Sequence, residues 1–391
     1  MSSSFTHFVS RRSPSACLLF FFSLFFSVPA VPQSKPRPAA PAANFASLAK
    51  QADEARDANR LDDAVALYQK ALALDPKWAE GWFSLGTIEY DRNHFTSAAR
   101  SFRRLLPLAP SNGTARILLG LCEFELGQDS AALKHITEGK NFNVTNSPQL
   151  RLVTLYHEGI LLLRSSRFKA AEASLSALCS DTLPPAEALR YFGEAVLRIS
   201  PGTAPPPQSP GDAILLRVGH AACIAGQKKF DAARQEYEAI VAEQPDYPGI
   251  HCAFGKFFVQ INDVPDAMVE FKQELKNNPG DVNSRLEIAA AQYKLDSAAG
   301  LPYAEEAVRL NPRLPFAHYL LGLLYLDTDN YQKAIPELEN AQKSFPKDAK
   351  VYFALGSAYS RAGRKQDAER ARAAFQRLSQ QGSGEESKAS Y

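Results

Sequence analysis

Apolar positions recur at helical spacing along most of the chain. Trp82, Leu85, Gly86 and Tyr90 come first, then Ala98 and Phe102, then Pro110. His318, Leu321, Gly322 and Tyr325 precede Ala334, Leu338 and Pro346 in the same order. Tyr352, Leu355, Gly356, Tyr359 and Ala368 start the series again. A large residue, an apolar–Gly pair three and four positions on, then an aromatic, marks one face of a 3.6-residue helix. The Gly lets a second helix approach closely, and the Ala serves that contact from the other side. Proline stops the second helix, because it lacks an N–H and clashes with the preceding turn. Pro76 and Pro110 lie 34 residues apart, and Pro245, Pro279, Pro312 and Pro346 follow in steps of 34, 33 and 34. Each period predicts a helical hairpin. One hairpin cannot bury its own apolar face, so neighbours must stack.

These residues closely resemble the tetratricopeptide repeat (TPR) family, whose signature is Trp-x2-Leu-Gly-x2-Tyr, then Ala-x3-Phe, then Pro. Repeats are expected at about 45–78, 79–112, 113–146, 152–185, 214–247, 248–281, 282–314, 315–348 and 349–378. The third lacks its terminal proline, and the seventh is one residue short. The resemblance implies an all-α, right-handed superhelical solenoid of about nine hairpins.

Residues 186–199 fit poorly. They read as one amphipathic helix whose partner is missing, followed by the five-proline stretch SPGTAPPPQSPGD at 200–212. This loop either divides the array into segments 45–199 and 213–378 or bulges from a continuous one. The last second helix, from 365 to 378, is rich in Arg and Gln, as a terminal cap requires. Residues 379–391 are expected to be disordered.

The N-terminus predicts export. Arg11 and Arg12 precede an apolar run from Cys17 to Val28, then Val28-Pro29-Ala30. That run is short for a span of about 20 residues and suits a signal-peptide core, so 1–30 is expected to be cleaved or to remain as an anchor. The Pro/Ala-rich stretch 31–44 then reads as an extended tether. The expected location is periplasmic, envelope-associated or secreted, with no stable membrane span after cleavage.

Composition narrows the function. With 45% apolar and 22% charged residues the chain is globular, and 44 Lys+Arg against 42 Asp+Glu gives a net charge of +2. That balance argues against a nucleic-acid partner. His157-Glu158 suggests a zinc protease, but Leu161 stands where the second His belongs. No phosphate loop or nucleophile elbow occurs, so no catalytic residue, cofactor or metal is expected. Cys122, Cys179, Cys223 and Cys252 permit disulfides in an exported chain, but burial as small apolar residues is the favoured reading. Asn112 and Asn143 begin glycosylation sequons.

The TPR resemblance implies a partner-binding groove lined by first-helix residues. Mapped here, it contains Phe83, Thr87, Tyr90, Asp91, Phe124, Tyr156, Arg164, Lys256, Tyr293, Phe316, Tyr319 and Phe353. Aromatics of this kind suit burial of a helix or extended peptide. Phe83/Thr87, Ile117/Leu121 and Tyr319/Leu323 stand where some relatives place a Lys–Asn carboxylate clamp, which argues against capture of a chaperone tail. The expected function is an exported, non-enzymatic scaffold for a protein or peptide partner. Rivals are an accessory subunit of a cell-envelope assembly or secretion complex and, from another class, a helical-hairpin hydrolase using Glu158, Asp91 or Asp327. Self-association through the array ends stays open.

Overall fold

A computed structural model describes residues 39–142, 147–180, 182–200 and 202–388. The expected signal segment, residues 31–38 of the tether and the Asn143 sequon lie outside them. The chain divides into two compact units, residues 1–233 and 234–391. The first contains α1 (Ala39–Asp57), α2 (Leu61–Leu74), α3 (Ala79–Asp91), α4 (Phe95–Leu105), α5 (Gly113–Glu125), α6 (Asp129–Lys140), α7 (Pro148–Arg164), α8 (Phe168–Ser176), α9 (Ala186–Val196) and α10 (Pro210–Gly226). Helix α11 (Phe230–Glu243) crosses the boundary. The second unit continues with α12 (Ile250–Gln260), α13 (Val264–Asn277), α14 (Val282–Gln292), α15 (Ser297–Leu310), α16 (Pro315–Asp327), α17 (Tyr331–Ser344), α18 (Ala349–Arg361) and α19 (Lys365–Lys388). No strand occurs among the described residues.

Consecutive helices pair as hairpins, α1 with α2 through α9 with α10, and α12 with α13 through α18 with α19. Side chains of Asn112, Ser147, Asp263, Asp281 and Asp296 cap helix N-termini by accepting the N–H three residues on. Asn59, Asn93 and Gly127 hold the turns inside the first three hairpins with φ of 55°, 62° and 69°. Asn and Gly tolerate that left-handed geometry best.

The apolar–Gly pair works as the sequence suggests. A Cβ on Gly86 would lie 2.8 Å from the Phe102 ring, and Gly120, Gly159, Gly255 and Gly322 face Ile136, Leu175, Phe271 and Leu338 in the same way. Phe102 and Phe271 are fully buried. Gly86→Ala should therefore cost about 1–3 kcal/mol through overpacking, read as a lower urea midpoint at unchanged m-value. In the last hairpin Gly356 instead meets the Arg372 stem at 3.5 Å, consistent with a polar cap.

A second device closes the repeat junctions. In the first unit the Trp82 indole and the Arg116 guanidinium each donate to the carbonyl of the proline that ends the preceding repeat, Pro76 and Pro110, at 2.9 Å. In the second unit His251, His318 and Tyr352 contact Pro245, Pro312 and Pro346 in the same way, at 2.9, 2.9 and 3.0 Å. A helix-stopping proline has no N–H but keeps its carbonyl as an acceptor.

Four expectations change. Helix α9, expected to be alone, pairs with α10 across the Pro-rich loop. A Cβ on Gly193 would lie 1.9 Å from the Leu215 carbonyl oxygen, and one on Gly219 1.8 Å from that of Leu189, so the two backbones touch. The long link hid this pairing from a pattern built on short turns. Helix α10 also starts at Pro210, inside the expected loop, with the Ser209 side chain capping it. Second, Cys223 is not a buried thiol: it forms a disulfide with Cys179, with Cα atoms 5.4 Å apart. Cys122 and Cys252 are free and buried, and burial pushes both thiols up to about 12. Third, α1 begins at Ala39, inside the stretch expected to be extended. Four alanines favour the helix, and Pro41 falls in its first turn, where an N–H has no helical acceptor. Fourth, α19 runs to Lys388, into the expected tail. Once a helix is formed, each further residue adds one bond at little cost, even though Gly382 and Gly384 weaken it by about 1 kcal/mol each relative to Ala.

Candidate interaction surface

The expected groove residues take different places in the two units. In the first, most are used in packing. The Phe83 ring meets Phe102 edge-on at 6.4 Å, and Thr87 donates its hydroxyl to the Phe83 carbonyl at 2.9 Å. Tyr90 packs on Phe95 at 5.8 Å. Asp91 ends α3 partly buried, and burial pushes its carboxyl up to about 6.

Phe124, Tyr156 and Arg164 are brought together around His157. Phe124 and Tyr156 meet the imidazole edge-on at 4.6 and 5.2 Å. The Arg164 guanidinium covers the Phe124 ring at 4.7 Å and pairs with Asp129 at 2.9 Å. Tyr156 is buried and packs on Tyr191 at 6.0 Å; burial, then the nearby Glu187, raises its phenol. Burial lowers His157 to about 4, so the ring is neutral at ordinary pH, and its Nδ1 lies 2.8 Å from the Val153 carbonyl. A neutral ring suits a site between aromatic edges. The sequence singled out His157 only as half of a failed zinc motif.

In the second unit two of the four groove aromatics remain exposed. Phe316 on α16 is 45% exposed and Phe353 on α18 is 61% exposed, with Phe353 resting against Phe375 at 5.5 Å. Tyr319 lies one turn from Phe316 and is half-buried; burial raises its phenol, with Asp348 and Tyr293 near enough to add to the effect. Tyr293 packs against the core of this unit, and the Lys294 ammonium stands 5.1 Å from its ring. Lys256 is partly buried on α12. Sequence reasoning missed Val259 and Leu295, 43% and 76% exposed. The twelfth-position count that placed Tyr293 also reaches Val259; Leu295 lies in a turn that the count does not cover.

Two of the three carboxylates considered for hydrolysis have structural tasks. Glu158 is buried, taking the Lys140 ammonium at 2.6 Å and the Ser174 hydroxyl at 2.8 Å. Asp327 pairs with Lys294 and accepts from Ser297 at 2.6 Å, and these hydrogen bonds hold it below its ordinary value. Among the described residues no three His, Cys, Asp or Glu side chains gather as metal ligands, and no helix is long and apolar enough to cross a membrane.

The tetratricopeptide repeat family model matches residues 49–112, 83–139, 287–341 and 319–386. Superkiller protein 3 of Schizosaccharomyces pombe is 24% identical over 152 residues, which is 36% of this chain and 11% of that protein. The chain thus matches only about a tenth of that relative's length. Among solved structures, MamA is 23% identical over 44% of this chain and 97% of its own, with a TM-score of 0.39. Yeast Tom70 is 16% identical over 86% of this chain and 69% of its own, with a TM-score of 0.35.

Proposed function

Because the chain belongs to the tetratricopeptide repeat family, we propose that it is a non-catalytic scaffold that holds a protein partner against first-helix aromatics of its second unit. The observation that carries this reading is the exposure of Phe316 and Phe353, 45% and 61%, on two first helices one repeat apart. The same chain buries Tyr68, Phe102 and Phe271 completely. Exposed aromatics at the positions that line a repeat groove offer large apolar area at low conformational cost, as partner anchors do. In the first unit the groove aromatics instead pack against other helices of that unit.

The reading includes export. The apolar run from Cys17 to Val28 supports it, and so does the Cys179–Cys223 disulfide, a bond that persists in oxidising compartments. A second reading, an accessory subunit of an envelope assembly, differs only in stoichiometry and permanence.

Phe316→Ala with Phe353→Ala should weaken capture of the partner by residues 44–391 at least tenfold, about 1.4 kcal/mol. Both side chains are largely exposed, so circular dichroism should show unchanged helicity. Binding retained in the double variant would remove this surface from consideration. A partner recovered at fixed, near-equal stoichiometry would favour the subunit reading over transient capture.

A further inference from the structure

Five repeats end on a proline carbonyl that takes a side chain six residues on, and the chemistry of that side chain differs between the units. Arg116 shows the full arrangement. Its Nη2 donates to the Pro110 carbonyl and its Nη1 to Glu138 of the second helix, both at 2.9 Å. One cation thereby ties the end of one repeat to both helices of the next. His251 and His318 reproduce this in the second unit. Nε2 of His251 faces the Pro245 carbonyl at 2.9 Å, and its Nδ1 faces Glu270 Oε2 at 2.6 Å. Nε2 of His318 faces the Pro312 carbonyl at 2.9 Å, and its Nδ1 faces Glu337 Oε2 at 2.5 Å.

Both rings are buried, 4% and 7% exposed. A neutral imidazole has one N–H and can donate once; only imidazolium donates from both nitrogens. At His251 each nitrogen faces an acceptor, so the protonated ring completes the arrangement and the neutral ring forfeits one bond.

The groups around the two rings differ. Around His251, α13 also places Glu274, which accepts from the Gly249 and Cys252 N–H groups, and Asn277, which donates to the same Pro245 carbonyl. Asp281, before α14, lies near Glu274. Around His318, α17 adds Asn340, whose amide nitrogen lies 3.0 Å from Nε2, so this ring nitrogen faces a donor as well as the Pro312 carbonyl. Lys333, one turn before Glu337, is held over the Tyr325 ring at 5.3 Å. His94 and His135, in the first unit, also meet carboxylates, Glu89 and Glu123, and no bond from either to a proline carbonyl accompanies those contacts.

We propose that His251 is a proton-operated clamp of its repeat junction: charged, it locks the junction as Arg116 does permanently, and neutral, it releases one bond. Burial pulls His251 down, but the Glu270 hydrogen bond and charge, the Pro245 carbonyl and Glu274 outweigh it and hold the ring above the ordinary histidine value. Its stabilisation is therefore complete below about pH 6.5 and is lost as pH rises through the higher folded value. The second unit tightens in acid and loosens in mild base.

Amide hydrogen exchange of the full chain, corrected for the intrinsic pH dependence, tests this at pH 5.5 and 8.5. In the wild type, protection over 250–277 should fall several-fold at the higher pH. Protection over 79–140, where Arg116 does the work, should fall less. His251→Arg should keep the acid-form protection at both pH values. His251→Gln, able to satisfy only one acceptor at a time, should be poorly protected at both. An equal pH effect over 79–140 and 250–277, or one over 250–277 that survives in either variant, would overturn the proposal. Should the arginine fail to fit, the glutamine variant still decides it, because its protection over 250–277 must not change with pH.

Discussion

Arg190→Met should destabilise the first unit by about 3–5 kcal/mol, the cost of leaving buried charges without their partner. The Arg190 side chain is 12% exposed and pairs with Glu194 and Asp212, themselves 11% and 18% exposed. Its Nη2 also donates to the Pro205 carbonyl at 2.9 Å. One guanidinium thus joins α9, the Pro-rich loop and the start of α10. Methionine keeps the length of the side chain and removes every one of these bonds. Burial already raises the Glu194 carboxyl, with Arg190 opposing it, so removing the cation should raise it further. A carboxyl raised in the folded state favours folding when protonated. The deficit should therefore shrink as pH falls through that raised value and be largest above it. Hydrogen exchange over 186–226 measures this, as a loss of protection of at least a hundredfold at neutral pH. A change under threefold would show that the loop is held by the α9–α10 backbone contact alone.

Reduction of the Cys179–Cys223 bond, or Cys179→Ser with Cys223→Ser, should cost the same unit about 4 kcal/mol. The bond closes a sequence separation of 44 residues, and loop-closure entropy of that length removes about this much freedom from the unfolded chain. It also joins the segment after α8 to α10, across the long proline-rich link that interrupts the hairpin rhythm. Trp78 and Trp82 lie in this unit and are the chain's two tryptophans, so their fluorescence during urea unfolding follows it without signal from the second unit. The expected result is a lower midpoint in reductant for the wild type and no further change for the double Ser variant. A wild-type midpoint insensitive to reductant would mean that the bond contributes nothing to stability.

The sequence went furthest where one residue type answers one local requirement. The Gly at the eighth position of a repeat, its large apolar partner in the second helix and the closing proline each state their geometry independently of the rest of the chain. The hairpins α3/α4, α12/α13 and α16/α17 were legible for that reason. The groove was legible only in part. Phe83 and Phe316 both occupy first-helix positions that line the groove in relatives, yet one packs on Phe102 and the other remains 45% exposed. A position in a repeat states which way a side chain leaves its helix, not whether a neighbour is large enough to cover it.

What the sequence determined alone was the class of fold and its period, because helix faces and helix stops are encoded within one turn of the chain. The tertiary structure decided the α9–α10 pairing, the Cys179–Cys223 bond, the Arg190 network and the two-sided histidine contacts. Each of these joins residues separated by a link or a helix whose path the local pattern does not specify. Distance in space, rather than residue type, made them interactions.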